Sequence, residues 1–135
     1  MMKETDELDL PDDVLYSKEH EYVRSGDHKA IIGISDYAQD QMGDLVFVEL
    51  PQVGDRFLTG EVFGTVESVK AVIEVYMPLA GEVIEVNNSL EDALEKVNNS
   101  PYVEGWMIGV KPDNPDELGQ LMSSDAYLEM LKGLD

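Results

Sequence analysis

The sequence predicts a mainly β domain, a β-sandwich or flattened barrel with short helices at its periphery. Short segments rich in β-branched and aromatic residues recur at close spacing, separated by turn signals of Gly, Pro, Asn and Asp. The longest such segment, 61–77, is too long to be one strand. A well-capped helix start also occurs near the C-terminus.

Residues 61–77 have the composition of a strand, and Gly64 is the only strand-weakening residue among them. As one strand the segment would extend roughly 55 Å at about 3.3 Å per residue. A compact chain of this length has a radius of gyration of only about 14 Å. The segment is therefore predicted to fold back as a hairpin, with its corner at 68–71, the least bulky interval and the only one with a cation.

This corner places Lys70 at the exposed tip of a β-hairpin, clear of the body of the domain. The residues leave two interpretations of Lys70 open. It is either a displayed functional group or an ordinary solvated lysine, and most lysines in proteins are the latter.

Composition limits the function classes. The 135 residues are enough for one domain with a core, and the absence of cysteine excludes disulfides and any thiol chemistry of the chain's own. The net charge of −20 argues against nucleic-acid binding and against docking on anionic lipid. The charge fits either simple solubility or docking onto positively charged partner surfaces.

The first 13 residues are acidic and lack any periodicity. They resemble neither an organellar transit peptide nor a secretory signal, and no apolar run approaches the length of a membrane span. We expect residues 1–13 to be a flexible acidic lead, residues 14–135 to form a single domain, and the protein to be cytoplasmic.

Turn signals and periodicity divide the domain into its elements. Strands are predicted over 14–16, 21–24, 29–34, 44–50, 82–86 and 105–111. A helix over 36–42 is predicted with Ser35 as its N-cap and Gly43 as its stop, and a second runs through 92–97 with Ser89 as its cap. Asn114, Pro115 and Glu117 predict a capping box that opens a C-terminal helix.

Two sets of residues carry a resemblance to a known family. Those matching biotinyl and lipoyl carrier domains in order and spacing are Gly54-Asp55, Gly60, Glu67–Ala71, Pro78–Gly81 and Val83. Those that narrow the match are Gly33-Ile34, Asp36–Gln39, Gly43-Asp44, Val48–Pro51, Asn98, Ser100-Pro101 and Gly105-Trp106. Over about residues 14–131 the chain resembles the H proteins of the glycine cleavage system.

The resemblance implies a lipoyl-type β-sandwich in which Lys70 carries lipoic acid through an amide. The dithiolane would supply sulfur chemistry that a cysteine-free chain lacks, on an arm long enough to visit several active sites. Glu67 and Ser68, next to the lysine, are candidates for recognition by the attaching lipoate ligase or by a lipoyl or octanoyl transferase. Each is equally interpretable as a solvated strand end.

The resemblance also implies three partner enzymes and no catalysis by the chain itself. A pyridoxal-phosphate-dependent glycine decarboxylase (P protein) would load the aminomethyl group of glycine onto the arm. A tetrahydrofolate-dependent aminomethyltransferase (T protein) would unload it, and a dihydrolipoamide dehydrogenase (L protein) would reoxidise the dithiol.

In this family the loaded arm folds into a surface cleft. The matching positions here make Glu21 a candidate partner of the aminomethyl ammonium and make His20 and Tyr37 candidate cleft residues. A surface acid and a satisfied histidine are the alternatives. Tyr22 stands where the family commonly has Trp, and Tyr37 where it often has His. His20 and His28 are the only histidines and lack the spacing of a metal site.

Other functions remain as alternatives. A biotin carrier would flank the lysine with methionines, where this chain has Val69 and Ala71. A lipoyl domain of a 2-oxoacid dehydrogenase acyltransferase would lack the N-terminal hairpin and the C-terminal helix. An H-like lipoate-binding protein of sulfur oxidation or lipoyl relay, and an acidic interaction domain with an unmodified Lys70, stay open.

Overall fold

The structure is a computed structural model, and it describes residues 3–134. Its strands are β1 (Leu15–Tyr16), β2 (Glu21–Ser25), β3 (Ala30–Ile34), β4 (Leu45–Glu49), β5 (Arg56–Phe57), β6 (Val62–Ser68), β7 (Val72–Tyr76), β8 (Gly81–Val86) and β9 (Ile108–Pro112). Its α-helices are α1 (Asp36–Met42), α2 (Glu95–Asn99) and α3 (Ser124–Lys132). The mainly β class with peripheral helices is confirmed.

The strands form two antiparallel sheets that enclose one core. The larger sheet has the order β1-β2-β3-β9-β8-β5, and the smaller has the order β4-β6-β7. The core residues that the larger sheet contributes include Val23, Ile32, Val83, Ile108 and Val110. Those that the smaller sheet contributes include Val48, Phe63, Val66 and Val75. Burying both apolar faces against each other makes the flattened sandwich that the sequence predicts.

The hairpin that the length of residues 61–77 predicts is present. β6 and β7 pair antiparallel, with Glu67 opposite Val72 next to the turn and Thr65 opposite Glu74 farther along. Residues 69–71 lie outside both strands. A register shift between Val62 and Gly64 marks a bulge near the far end of the hairpin.

Helix α1 occupies the residues that the sequence predicts. Ser35 caps it by accepting a hydrogen bond from the backbone N–H of Ala38 at 3.2 Å. Gly43 ends it with φ 77°, a conformation that glycine adopts without the steric cost of a Cβ. The helix is therefore fixed at both ends by local sequence.

The other helices differ from the prediction in type or start. Ser89 caps no α-helix: it lies inside a 3₁₀ helix, Asn88–Glu91, and donates to Asn87 Oδ1 at 2.6 Å, and α2 begins only at Glu95. Asn114 does cap the next segment, but that segment is a 3₁₀ helix, Pro115–Gln120. The expected capping box is wrong because the Glu117 carboxylate accepts from the backbone N–H of Ala80, at 3.2 Å, and from the Thr59 hydroxyl.

The C-terminal helix and the start of the chain cover a second apolar cluster. Its buried members are Val14, Tyr16, Tyr22, Tyr102, Tyr127 and Leu131. The rings of Tyr16 and Tyr127 stack with centroids 4.5 Å apart and planes 5° apart. This stack fixes α3 against the larger sheet.

The N-terminal lead lies along the domain where the structure describes it. Leu8 and Leu10 pack against the aromatic cluster, and the ammonium of Lys3 pairs with Asp36 at 2.9 Å. The Tyr16 hydroxyl donates to the carbonyl oxygen of Pro11 at 2.7 Å. Residues 3–11 thus make specific contacts that an aperiodic acidic sequence does not reveal, and the domain boundary at residue 14 stays a prediction.

None of the helices within residues 3–134 has the length and apolarity needed to cross a bilayer. The same residues contain no group of three or more His, Cys, Asp or Glu side chains placed to hold a metal ion.

Replacing Gly64 with alanine tests the close approach of β4 to β6. The new Cβ would lie 2.6 Å from the carbonyl oxygen of Glu49, so the two strands would have to separate. We expect the free energy of unfolding to fall by about 1–3 kcal/mol in urea titrations, as for other overpacked sites. Gly119→Ala is the control, since its Cβ meets nothing within 4 Å. Equal losses from both variants would contradict this role of Gly64.

Candidate functional site

Lys70 lies at the tip of the β6–β7 hairpin and is exposed. The turn is closed by two hydrogen bonds between the same two residues. The backbone N–H of Ser68 donates to the carbonyl oxygen of Ala71 at 2.8 Å, and the N–H of Ala71 donates to Ser68 Oγ at 3.2 Å. Neighbouring Val69 is 89% exposed, so the tip projects away from the core.

The stem of Lys70 extends towards the C-terminal end of α1. A Cβ placed on Gly43 would lie 3.8 Å from Cε of Lys70, which is ordinary van der Waals contact. Gly43 directly follows Met42, a residue that lines a surface groove. The lysine therefore begins beside the mouth of this groove.

We name this groove, of about 470 Å³, the α1–β7 groove. Its lining residues are Glu19, His20, Tyr37, Ala38, Gln41, Met42, Val72, Ile73, Glu74 and Tyr76. The rings of His20 and Tyr37 lie side by side with centroids 4.7 Å apart. The structure thus brings together two of the three cleft residues that the resemblance implies.

His20 is held in an unusual conformation. Its φ of 74° is the only positive value on a non-glycine residue in the described part of the chain. Its Nδ1 is 2.8 Å from the hydroxyl of Tyr127 on α3, and its carbonyl oxygen accepts from the N–H of Ser35 at 2.9 Å. Burial lowers the pKa of His20, while the nearby Glu19 carboxylate acts in the opposite direction.

Glu21 faces a neighbouring cavity of about 530 Å³, which we name the Glu21 cavity. The carboxyl group is buried, accepts from the Ser17 hydroxyl at 2.5 Å and accepts from the backbone N–H of Tyr76 at 3.3 Å. Burial raises the pKa of Glu21 to about 7, although the bond from Ser17 opposes the change. Glu19 and Tyr76 line both the α1–β7 groove and the Glu21 cavity and lie between them.

The two residues proposed for enzyme recognition differ in their surroundings. Ser68 is buried, and its hydroxyl accepts the hydrogen bond from the N–H of Ala71 that helps to close the turn. Glu67 is half-buried at the end of β6, opposite Phe47 on one side and Val72 on the other. Ser68 is therefore part of the turn's geometry, whereas Glu67 offers a carboxylate beside it.

Sequence reasoning missed several groove residues. Val72, Glu74 and Tyr76, three of the four β7 residues that line the α1–β7 groove, alternate along the strand, so the period of two within the hairpin could have found them. Tyr127 gave no such signal, because it lies 107 positions from the histidine that it contacts.

The chain matches known proteins over nearly its whole length. The family model described as Glycine cleavage H-protein matches residues 14–134. A glycine cleavage system H protein of Oceanobacillus iheyensis is 52% identical over 89% of this chain and 95% of its own length. The corresponding protein of Halalkalibacterium halodurans is 52% identical over 90% and 95%. A crystal structure of the H protein of Mycobacterium marinum superposes with a TM-score of 0.84 at 33% identity, covering 90% of this chain and 98% of that one.

Glu21→Gln tests the buried carboxyl group. The folded-state pKa of about 7 exceeds the usual value of 4.5, so the folded protein holds more protons between these pH values than the unfolded chain does. The free energy of unfolding should therefore fall as the pH rises from about 5 to 8, by on the order of 2 kcal/mol from this group. Glu21→Gln should flatten this part of the profile, measured by urea unfolding.

The exposed carboxylate of Glu49 provides the control for this experiment. Glu49→Gln should leave the pH profile of the wild type in place. A wild-type profile that Glu21→Gln does not change would contradict a raised pKa for the buried Glu21.

Proposed function

Since the chain belongs to the glycine cleavage H-protein family, we propose that Lys70 carries lipoic acid as an amide on its Nζ. The observation that supports this site most directly is the exposed lysine at a rigid hairpin tip beside the α1–β7 groove. Membership makes the chain a carrier component of the glycine cleavage system, without catalysis of its own. The bound lipoyl group supplies the redox and thiol chemistry.

The groove has the shape and lining that a tethered arm of this kind requires. Val72, Ile73 and Met42 give apolar contact for an alkyl chain, while Glu19 and Glu74 provide negative charge for an ammonium cargo. In this proposal the arm folds from Lys70 past the C-terminal end of α1 into the groove. The protein's part is then to bind the arm and keep water from its cargo.

We propose that Glu21 stabilises the cargo ammonium from behind Tyr76. The carboxyl group already accepts hydrogen bonds from Ser17 and from the backbone N–H of Tyr76, so its position is fixed before a cation arrives. A nearby ammonium favours the ionised form and would lower the pKa of Glu21. The burial that raises the pKa of Glu21 without cargo would thus be offset by the cargo's charge.

His20 and Tyr37 form the aromatic part of the proposed cleft. Their rings lie 4.7 Å apart on the wall opposite β7. Tyr37, at the start of α1, combines an apolar ring with a hydroxyl, so it suits both the alkyl chain and the polar cargo. In this proposal the two adjacent rings give the arm two flat surfaces to pack against.

The partners follow from the system to which the family belongs. A carrier of this system works with the P, T and L proteins, and we propose a lipoate ligase or a lipoyl or octanoyl transferase as a further partner. The net charge of −20 suits docking onto basic partner surfaces that salt would weaken. We also propose that the protein works in the cytoplasm with these enzymes.

The alternatives are not favoured. The family model and the relatives described above all carry glycine cleavage names. The N-terminal strands and α3, which a lipoyl domain of an acyltransferase would lack, are integral to the fold. A role in sulfur oxidation or lipoyl relay and an unmodified interaction domain therefore have less support than the carrier role.

Lys70→Arg tests the attachment site, because arginine retains the positive charge but offers no amine for the amide bond. Wild-type protein from cells supplied with lipoate should gain one lipoyl group by intact-mass analysis, and Lys70→Arg should gain none. Lys111→Arg, at an exposed lysine on β9, should be modified like the wild type.

An assay of the wild type, Lys70→Arg and Lys111→Arg with the P protein distinguishes a working carrier from a protein that is only modified. With the P protein, glycine-dependent exchange of bicarbonate should require lipoylated protein and be lost in Lys70→Arg. Unmodified wild-type protein in the presence of a competent ligase would overturn the proposed site. Transfer of sulfane sulfur without bicarbonate exchange would instead support the sulfur-oxidation alternative.

Ser68→Ala and Glu67→Gln test recognition of the turn by the attaching enzyme. Removing Ser68 Oγ leaves the N–H of Ala71 without its acceptor, which loosens the tip. We expect lipoylation to slow by about two- to tenfold, as for the loss of one hydrogen bond, in a timed mass assay with purified ligase. Glu67→Gln should slow it through the lost charge, whereas Glu49→Gln on β4 should not. Wild-type rates in both turn variants would refute this recognition role.

A further inference from the structure

A chain of hydrogen bonds joins the α1–β7 groove to the C-terminal helix. The Tyr127 hydroxyl on α3 is 2.8 Å from Nδ1 of His20 and 2.8 Å from Oγ of Ser35. Ser35 is the N-cap of α1, and its Oγ also accepts from the N–H of Ala38. Three segments far apart in sequence therefore meet at one hydroxyl group that is fully buried.

Burial fixes the direction of these bonds. Ser35 is fully buried, and within residues 3–134 its hydroxyl hydrogen has no acceptor other than the oxygen of Tyr127. If Tyr127 donated to Ser35, that hydrogen would be left unpaired, which is costly. Ser35 therefore donates to Tyr127, and Tyr127 donates its own hydrogen to Nδ1 of His20.

This direction determines the tautomer of His20. A neutral imidazole whose Nδ1 accepts a hydrogen bond carries its proton on Nε2. Nε2 makes no hydrogen bond to any residue that the structure describes, and no polar side-chain atom in this part of the chain is both buried and unpaired. Nε2–H is thus free to act as a donor from a ring that lines the groove.

We propose that Tyr127 is a positioning residue that holds His20 in the neutral Nε2–H form, so that the His20 ring presents a hydrogen-bond donor and no basic lone pair to the tethered cargo. The assignment of the cargo rests on the proposed function. The tautomer and its cause rest only on contacts within the chain.

The chemistry of the cargo explains why the tautomer matters. In an aminomethyl thioether the protonated nitrogen has no lone pair with which to expel the sulfur, so loss of the group begins when a base takes the ammonium proton. The nitrogen lone pair then forms a C=N bond as the C–S bond breaks, the sulfur leaves as a thiolate that takes up a proton, and water hydrolyses the released methylene iminium to ammonia and formaldehyde. An imidazole with its lone pair towards the groove would be such a base. With the proton on Nε2, the same ring offers only N–H, which suits an acceptor on the arm such as its amide oxygen.

Burial favours the neutral form of His20, while the Glu19 carboxylate opposes it. The side chains that face it or line the same groove and that titrate are Tyr37 on α1, Tyr127 on α3, Glu74 and Tyr76 on β7, and Glu19 in the turn before β2. Burial raises the pKa of Tyr127, which keeps its hydroxyl protonated and able to donate.

The first test uses the unmodified protein and therefore does not depend on Lys70. Two-bond ¹H–¹⁵N correlations of the imidazole groups should show neutral His20 with its proton on Nε2. His28 is the only other histidine and is exposed, so His28→Gln assigns the signals. In Tyr127→Phe the pKa of His20 should rise, because the neutral ring loses the donor to Nδ1. Neutral His20 with its proton on Nδ1 would overturn the proposal.

The second test uses protein loaded from glycine by the P protein. Without the T protein, Tyr127→Phe should release ammonia about two- to tenfold faster than the wild type, the range for the loss of one hydrogen bond. Tyr22→Phe is the matched control. Tyr22 is buried, lines neither the α1–β7 groove nor the Glu21 cavity, and donates its hydroxyl hydrogen to the carbonyl oxygen of Pro101 at 2.6 Å. Equal release from wild type and Tyr127→Phe would overturn the protective role.

The two tests separate the possible failures. An altered fold in Tyr127→Phe would appear in thermal unfolding, where Tyr22→Phe provides the reference, and an Nδ1–H tautomer in the wild type would overturn the positioning role without any variant. If Lys70 carries no lipoyl group, the mass analysis shows it, and the imidazole spectra still decide whether Tyr127 fixes the tautomer.

Discussion

The structure depends on one fold-back, the turn that reverses the chain between β6 and β7. Ser68 and Ala71 close it with a backbone bond of 2.8 Å and a side-chain bond of 3.2 Å, and the two strands below it bury Val66 and Val75 in the core. Because the strands are fixed by the core, the tip is fixed as well. A long, flexible group attached at Lys70, as we propose, would then swing from a defined origin, which would raise its local concentration at the sites it must reach.

The rest of the chain places the groove beside that origin. α1 is set by its own caps, Ser35 and Gly43, and its C-terminal end lies against the stem of Lys70. β7, the strand that follows the lysine, forms the facing wall. The lysine and both walls therefore lie on elements anchored in the same core, so the proposed binding of the arm in the groove would need no moving part of the protein.

The departures from prediction share a physical cause. Ser89 and Glu117 have the residue types of helix caps, but each binds a different partner: Ser89 binds the Asn87 side chain, and Glu117 binds the backbone of Ala80. In both cases a hydrogen bond to another residue replaced the capping bond that the local sequence pattern predicts. The short strand β5 also depends on tertiary pairing, since Arg56 and Phe57 pair with Glu82 and Gly81 of β8.

The sequence by itself determined the mainly β class, the fold-back at residues 68–71, helix α1 with both of its caps, and the identity of the lysine at the tip. Each of these depends on local propensity or on the limit that a compact core sets on strand length. Only the tertiary structure decided that His20 and Tyr37 share the α1–β7 groove, that Glu21 lies in the cavity beside it, and that Tyr127 contacts His20. These relations join residues up to 107 positions apart, and periodicity within one element carries no information about them.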